Sequence, residues 1–175
     1  MMTPAPFSRI KIRTGTLVFC GTDVALIRRD RPGSVHYTPP GGNVEPGEDL
    51  NTALRRELLE ELALDIAQAS EPELLWVVDQ RVPRPGDTPP PRKLHLLYRL
   101  HIRQDVRAAL ATEEHDELED GTHEVGVIEW ADYRKTADLP IFPPIGSALA
   151  SLSSPDARVT NAALPPVTDD NYQWV

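Results

Sequence analysis

The sequence predicts an α/β domain with a mixed β-sheet. Several apolar, β-branched segments of strand length are separated by one long amphipathic segment of helix length, and a shorter helical segment follows later. At 175 residues the chain has the length of one domain with a substantial hydrophobic core. We expect this domain to span residues 1–153, with residues 154–175 forming a C-terminal tail that has little periodicity.

The first part of the predicted sheet precedes the long helix. Arg9–Cys20 and Asp23–Arg28 are apolar and β-branched, and the Gly-Thr dipeptide between them predicts a hairpin or two sequential strands. Asp30–His36 is polar and rich in turn-forming residues, so we expect a turn there. Tyr37–Gly42 ends in Pro-Pro-Gly-Gly, which predicts a tight turn before the helix.

The long helix is predicted to begin near Glu48 or Asp49, where acidic side chains complement the positive end of the helix dipole. Leucine recurs every fourth residue after this point, and such a repeat marks the face of a helix that packs against the core. The leucines are Leu50, Leu54, Leu58 and Leu62.

Two more strands are predicted at Glu73–Val82 and Leu94–Ile102. Five prolines within Pro83–Pro91 prevent the intervening segment from pairing as a strand, so we expect an exposed hairpin loop. The elements that follow are predicted to be a short helix, an acidic loop, a strand and a closing helix, over Gln104–Ala111, Thr112–His123, Glu124–Ala131 and Ile145–Leu152, respectively.

The composition limits the classes of partner. Eighteen basic and 27 acidic side chains give a net charge of −9, which disfavours nonspecific binding to nucleic acid polymers and to anionic membranes. No apolar run approaches membrane-spanning length, and the first residues lack the apolar stretch of a signal peptide, so we expect a cytoplasmic location. The single cysteine, Cys20, excludes an internal disulfide and is expected to be a buried strand residue.

Three glutamates on the long helix are the most informative feature of the chain. Glu57, Glu60 and Glu61 stand at i, i+3 and i+4, so they project from one helical face. Like charges at this spacing repel each other unless a cation lies between them. Hard oxygen ligands suit Mg²⁺ or Mn²⁺, which also bind phosphate oxygens. The alternative is an ordinary solvated helix face with ion pairs.

The spacing around these glutamates also resembles a family signature. Gly42–Leu64, GNVEPGEDLNTALRRELLEELAL, follows the pattern G-x5-E-x7-R-E-U-x-E-E-x-G-U, with U aliphatic, of the Nudix hydrolase (MutT-like) family. The resemblance implies the Nudix fold, an α/β/α sandwich with a mixed sheet. One position departs, because Ala63 stands where the family has glycine. A left-handed backbone is often needed just past a helix end, and alanine there would cost about 1 kcal/mol.

The resemblance implies a metal site. Glu57, Glu60 and Glu61 would ligate Mg²⁺, with Mn²⁺ as a substitute, and one of them would orient or deprotonate a metal-bound water. A backbone carbonyl of the glycine pair would join the ligands, and we expect it to be that of Gly41. A further acid often comes from a distant loop or strand, and Glu124 is our choice. The other acids considered there are Glu113, Glu114, Asp116, Glu117 and Glu119, and the nearby histidines are His115 and His123.

Other residues are expected to support the site or bind substrate. Arg56 and Glu48 would form an ion pair that bridges the loop and the helix and orients the ligands. Gly42 would permit close backbone approach. Arg28 is the expected phosphate contact and Tyr37 an expected stacking partner. The further candidates are Arg29, Arg31, Arg81, Arg84, Arg92 and Lys93 for charge and Trp76, Tyr98 and Phe142 for stacking.

The implied reaction is attack by metal-activated water on a diphosphate linkage in a compound of the form nucleoside diphosphate–X. Substrate choice stays open between a nucleoside triphosphate, weakly favoured and oxidised or not, a dinucleoside polyphosphate and a nucleotide sugar. Some ADP-ribose hydrolases of the family have a proline where this chain has Asp79, and Ser34–Gly41 lacks the signature of coenzyme A hydrolases. A noncatalytic nucleotide sensor is one rival. An isoprenoid diphosphate isomerase is the other, and Cys20 lies too early for its catalytic thiol.

The tail ends in large apolar side chains, Tyr172, Trp174 and Val175. Exposed aromatic clusters often mark contacts, so we expect the tail to dock on the domain or on a partner subunit, with a homodimer as the assembly considered. The alternative is a disordered end.

Overall fold

The computed structural model describes residues 5–83, 86–118 and 120–172, and these form a mixed β-sheet with helices on both faces. The helices are α1 (Leu50–Leu62), α2 (Gln104–Ala108) and α3 (Gly146–Ala150). The strands β1 to β9 span Ile10–Cys20, Asp23–Arg31, Ser34–Thr38, Gly41–Asn43, Glu73–Arg81, Arg92–His101, Glu113–Glu117, His123–Asp132 and Val167–Thr168.

The sheet has the strand order β7-β8-β2-β1-β6-β5-β9, with β3 paired to β2 and β4 paired to β1. Strands β1 and β6 run parallel over ten residue pairs, and β5 and β9 are also parallel, while the other pairs are antiparallel. Strands β1 and β2 pair only at Phe19–Val24 and Cys20–Asp23. Their other ends therefore separate, and each takes a different partner, β4 or β3.

Side chains alternate between two cores along the central strands. On β1, Leu17 and Phe19 pack on the face that carries α3, whereas Val18 and Cys20 pack on the face that carries α1 and α2. The sheet is thus enclosed by helices on both sides, which confirms the predicted α/β/α sandwich. Cys20 is buried, as expected from its strand.

Helix α1 begins where the sequence predicts. Asp49 is its N-cap and accepts a 2.7 Å hydrogen bond from the Thr52 amide. Of the four leucines, Leu50 is only partly buried, and the other three are fully buried. At the C-terminus Ala63 adopts the left-handed conformation, with φ 57° and ψ 32°, so the strain expected of alanine at this cap is present in the structure.

One predicted turn is shorter than expected, and one predicted loop contains a strand. The turn expected over Asp30–His36 is confirmed only at Pro32 and Gly33, because β2 continues to Arg31 and pairs with β3 from Ser34 onward. The acidic loop expected over Thr112–His123 is also wrong for its first half, because Glu113–Glu117 forms β7. Pairing with β8 supplies the hydrogen bonds that make this charged segment extended, and tertiary context thus outweighs its low strand propensity.

The chain beyond the predicted domain lies along the outer edge of the sheet. Ala163 forms a parallel bridge with Val77, and β9 pairs with the end of β5. Tyr172 packs against the core on the α3 face. Trp174 and Val175 lie outside the described residues, as do Arg84 and Glu119. In the part of the chain that the structure describes, no helix is long and apolar enough to cross a membrane.

The left-handed cap gives a stability prediction. Ala63→Gly should raise the free energy of unfolding by about 0.5–1 kcal/mol, because glycine adopts this conformation without a Cβ penalty. Urea unfolding would measure the change. Ala109→Gly is the matched control, because Ala109 caps α2 with an ordinary φ of −95°. Equal effects of the two substitutions would contradict the predicted strain at Ala63.

Candidate active site

A single arginine ties helix α1 to the loop before it. The Arg56 guanidinium donates to both oxygens of Glu48, at 2.7 and 2.9 Å, and to the carbonyl oxygen of Asn43 at 3.1 Å. The same group donates to Glu57 Oε1 at 2.8 Å. The hydrogen bond from Arg56 and one from the Glu45 amide lower the pKa of Glu48 to about 2. The loop between β4 and α1 is therefore fixed relative to the glutamates of the helix.

An acidic cleft of about 410 Å³ opens beside this anchor. Helix α1 and the glycine pair of β4 form one side, and β7 forms the other. The residues that line the acidic cleft are Arg13, Gly41, Gly42, Asn43, Glu45, Arg56, Glu57, Glu60, Glu61, Glu114, His115 and Asp116.

Three carboxylates in the acidic cleft are held partly out of water. Burial raises the pKa of Glu57 and of Glu114, each of which is 9% exposed. Burial, with repulsion from these two acids, raises the pKa of Glu61 to about 8, although the Gly41 amide donates a 2.8 Å hydrogen bond to Glu61 Oε2. Glu60 lies at the rim, with 59% of its side chain exposed. The cleft thus concentrates negative charge that the protein alone does not fully compensate.

The donor set fits a hard divalent cation. Carboxylate oxygens and a backbone carbonyl are the ligands that Mg²⁺ and Mn²⁺ prefer, and crowded acids with raised pKa values are stabilised by a doubly charged ion. Among the described residues, however, no group of three or more acids, histidines or cysteines already converges closely enough to hold a metal ion. Arg56 holds Glu57 and the Gly41 amide holds Glu61, so cation binding requires these side chains to reorient.

The glycine pair is needed for close packing. A Cβ on Gly41 would lie 2.0 Å from the carbonyl oxygen of Thr14, and one on Gly42 would lie 2.3 Å from Glu57 Oε1. Any larger residue at Gly42 would therefore displace the Glu57 carboxylate. The close backbone approach predicted at Gly42 is therefore an approach to Glu57, one of the predicted metal ligands.

A basic pocket of about 280 Å³ adjoins the acidic cleft and lies where β1 and β2 separate. The two cavities share Arg13, Gly41, Glu61 and Asp116. The cations and imidazoles that line the basic pocket are Arg13, Arg29, Arg31, His36, Lys93 and His95, and its one aromatic hydrocarbon ring among the described residues belongs to Phe142.

Glu124 is not among the residues that line the acidic cleft. It lines the basic pocket, where Arg29 and Arg31 approach its carboxylate at 3.1 Å, and the Arg31 hydrogen bond lowers its pKa. Glu114, one of the other acids considered, lines the acidic cleft. Arg29 donates to Glu114 at 2.8 Å and so links the two acids.

Arg28 and Tyr37 are not among the residues that line either cavity. Residues alternate across a strand, so Arg28 is on the opposite face from Arg29, where it pairs with Glu129 at 2.7 Å. Tyr37 sits beside Arg28 in the register and is 8% exposed within the core, so packing accounts for its ring.

The remaining candidates divide between the cavities and other surfaces. His115 and Asp116 line the acidic cleft, whereas His123 and Arg81 are exposed. Glu113 and Glu117 are exposed on β7, and Arg92 pairs with Asp79. Trp76 is buried in the core on the α3 face, whereas Tyr98 packs against the core on the α1 face. Sequence reasoning missed Arg13 and His95. Arg13 was missed because its position opposite Asn43 depends on the β1–β4 pairing, which local sequence does not show.

Arg56 gives a prediction for stability. Arg56→Ala should lower the melting temperature by about 5–10 °C, because Glu48 and Glu57 would lose a charged hydrogen-bond donor. Differential scanning calorimetry would measure the shift. The neighbouring Arg55 is exposed, and Arg55→Ala serves as the control with little expected change. Unchanged melting of the Arg56 variant would argue against the anchoring contacts.

His95 gives a prediction for pH dependence. Burial lowers the pKa of His95 to about 3 from the ordinary 6.5. The imidazole is therefore protonated less readily in the folded protein than in the unfolded chain. Stability is therefore lost as the pH falls below 6.5. Between pH 7 and 5 the wild type should lose about 1–2 kcal/mol more than His95→Gln, as measured by urea unfolding. Identical pH profiles would show that His95 is not held uncharged.

Comparison with known proteins places this geometry in a family. The family model of the NUDIX domain matches residues 11–147. No match was found among curated proteins. Solved structures with a similar fold include the mutator MutT protein from Bacillus halodurans, at 19% identity and TM-score 0.51, with 79% of each chain covered. The E. coli ORF135 protein is similar at 20% identity and TM-score 0.52, over 81% of this chain and 86% of that chain.

A C. elegans Ap4A hydrolase is similar at 19% identity and TM-score 0.51, over 79% of this chain and 92% of that chain. These identities establish a shared fold. The family model spans well over half of the chain and includes the glutamates of α1. The protein therefore belongs to the Nudix family, as a hydrolase of phosphoanhydrides.

Proposed function

We propose that the protein is a Mg²⁺-dependent pyrophosphohydrolase that cleaves a diphosphate linkage in a nucleoside diphosphate–X substrate, with a nucleoside triphosphate as the leading candidate. The observation that supports this most is the junction of the acidic cleft and the basic pocket at Arg13 and Glu61. One cavity suits a divalent cation and the other suits anionic phosphate. The proposal includes the cytoplasmic location expected from the composition.

The metal ligands in this proposal are Glu57, Glu60 and Glu61, with the Gly41 carbonyl, and Glu114 takes the place of Glu124. When bound, the cation supplies electrophilic activation of the phosphoryl oxygens and offsets the charge of the substrate. A bound cation would favour the ionised forms of Glu57 and Glu61, and either carboxylate would then be a candidate to accept a proton from the water that attacks phosphorus.

Arg13 and Arg29 are the proposed phosphate-binding cations in place of Arg28. Arg13 borders both cavities, and its guanidinium donates to the neutral amide oxygen of Asn43 at 3.0 Å. Arg29 is buried between Glu114 and Glu124 and donates to Thr38 Oγ1 at 3.1 Å. A phosphate that enters the basic pocket would meet these two guanidinium groups on its way to the carboxylates.

Arg56 and Glu48 act in this proposal by orienting other groups. Arg56 Nε and Nη2 donate to Glu48 and hold the loop, and the third nitrogen, Nη1, donates to Glu57. Removal of Arg56 would therefore misplace a ligand as well as destabilise the fold.

The proposal is tested by hydrolysis with Mg²⁺ across nucleoside triphosphates, diadenosine tetraphosphate and a nucleotide sugar, with products identified by mass spectrometry. Glu57→Gln and Glu61→Gln should each lower kcat by about 100-fold or more, because each removes a charged oxygen from the acidic cleft. Glu117→Gln is the control, since Glu117 is exposed on the strand that carries Glu114.

Water labelled with ¹⁸O would identify which phosphorus is attacked, because the label appears in only one product. Near-normal Mg²⁺-dependent turnover by both helix variants would contradict the ligand assignment. Tight nucleotide binding by the wild type without turnover of any compound would favour a nucleotide-sensing module over an enzyme.

A further inference from the structure

The residues that follow the family match form an ordered part of the fold. We define the C-terminal segment as residues 155–172, which lie beyond the matched residues 11–147. The buried Arg99 donates to the carbonyl oxygens of Pro155 and Ala157, at 3.0 and 2.7 Å. Farther along, the Val77 amide donates to the carbonyl oxygen of Ala162, and the Leu164 amide donates to the carbonyl oxygen of Val77. The C-terminal segment therefore covers the outer edge of the sheet.

The C-terminal segment connects to the lining of the basic pocket through two sets of contacts. The Tyr172 ring lies 5.0 Å from the Phe142 ring, centroid to centroid, at a tilt of 51°. Val167 of β9 pairs with Gln80, whose side-chain oxygen lies 2.6 Å from His95 Nε2. Phe142 and His95 in turn contact each other edge to face, with centroids 5.8 Å apart, and both line the basic pocket. Phe142 and His95 thus form one wall of the basic pocket, and the C-terminal segment supports this wall.

This wall differs chemically from the rest of the pocket. Its two rings are flat, and the buried His95 is uncharged at neutral pH because burial, with the nearby Arg13 and Lys93, disfavours the imidazolium form. The other side of the pocket carries Arg13, Arg29 and Arg31. A ligand that satisfies both sides has an anionic end and a planar, uncharged end, because aromatic rings contact flat groups well and guanidinium groups contact phosphates.

We propose that the C-terminal segment positions Phe142 and His95 as the wall that binds the planar base of a nucleotide, with Tyr172 and Gln80 as positioning residues. The identity of the ligand rests on the proposed function, whereas the positioning does not. Tyr172 acts through Phe142, and Gln80 acts through His95. Loss of either support should weaken recognition of the base and leave recognition of the phosphate intact.

The experiment is calorimetric binding of AMP, GMP, CMP, UMP and, as the base-free control, ribose 5-phosphate. At least one nucleotide should bind the wild type about tenfold or more tightly than ribose 5-phosphate. Tyr172→Ala should reduce this preference at least threefold with ribose 5-phosphate binding unchanged, and Tyr172→Phe should retain it. Asp170→Ala is the control for the exposed end of the segment. Phe142→Leu gives a second test if Tyr172→Ala does not fold, because it removes the supported ring itself.

Equal affinity of the wild type for nucleotides and ribose 5-phosphate, or no binding of either, would overturn the inference. So would a Tyr172→Ala or Phe142→Leu variant that melts at a lower temperature but keeps the preference. The proposed function fails separately, because this assay needs no turnover. A preference for nucleotides without hydrolysis would contradict only the proposed hydrolase function. Hydrolysis without a preference for nucleotides would contradict only the proposed base-binding wall.

Discussion

Crowding of buried carboxylates is the constraint on which the site depends. Helix α1 brings Glu57 and Glu61 together, and β7 adds Glu114 from a distant part of the chain. Burial raises all three pKa values, so the folded protein bears an electrostatic cost. Arg56 and Arg29 offset part of this cost through hydrogen bonds to two of the acids. Selection for stability alone would not favour this cluster, and we propose that a bound cation accounts for its presence.

The sheet topology places two kinds of charge side by side. Because β1 and β2 pair over only two residues, a gap forms in which strand residues of both sheet halves face a common space. Arg13 stands at the border of that space and the acidic cleft. The C-terminal segment closes the sheet edge nearby and supports Phe142. In the proposed function, cation, phosphate and base would thus contact neighbouring parts of the sheet that share Arg13 and Glu61.

The sequence alone specified the helix and the loop before it, because the signals there are local. The spacing of the glutamates, the cap at Asp49 and the left-handed position of Ala63 all follow from helix geometry. The partners of that helix were not predictable with the same certainty. Glu114 and Glu124 lie on the same face of the β7–β8 pair, because Glu124 is opposite Asp116 and Glu114 is two residues from Asp116. Which of the two lines the acidic cleft therefore depends on their positions along the sheet, which no local sequence signal gives. Strand parity, by contrast, separates Arg29 from Arg28.

Direct titration of the metal-free protein with Mn²⁺ tests the central claim most directly. Electron paramagnetic resonance of free Mn²⁺ at pH 7.5 would count the ions bound and give their affinity. The wild type should bind at least one ion, and a Glu57→Gln, Glu61→Gln double variant that retains its fold should bind at least tenfold more weakly. Absence of binding to the wild type, with and without a nucleotide present, or equal binding by the double variant, would contradict a cation as the reason for the acidic cleft.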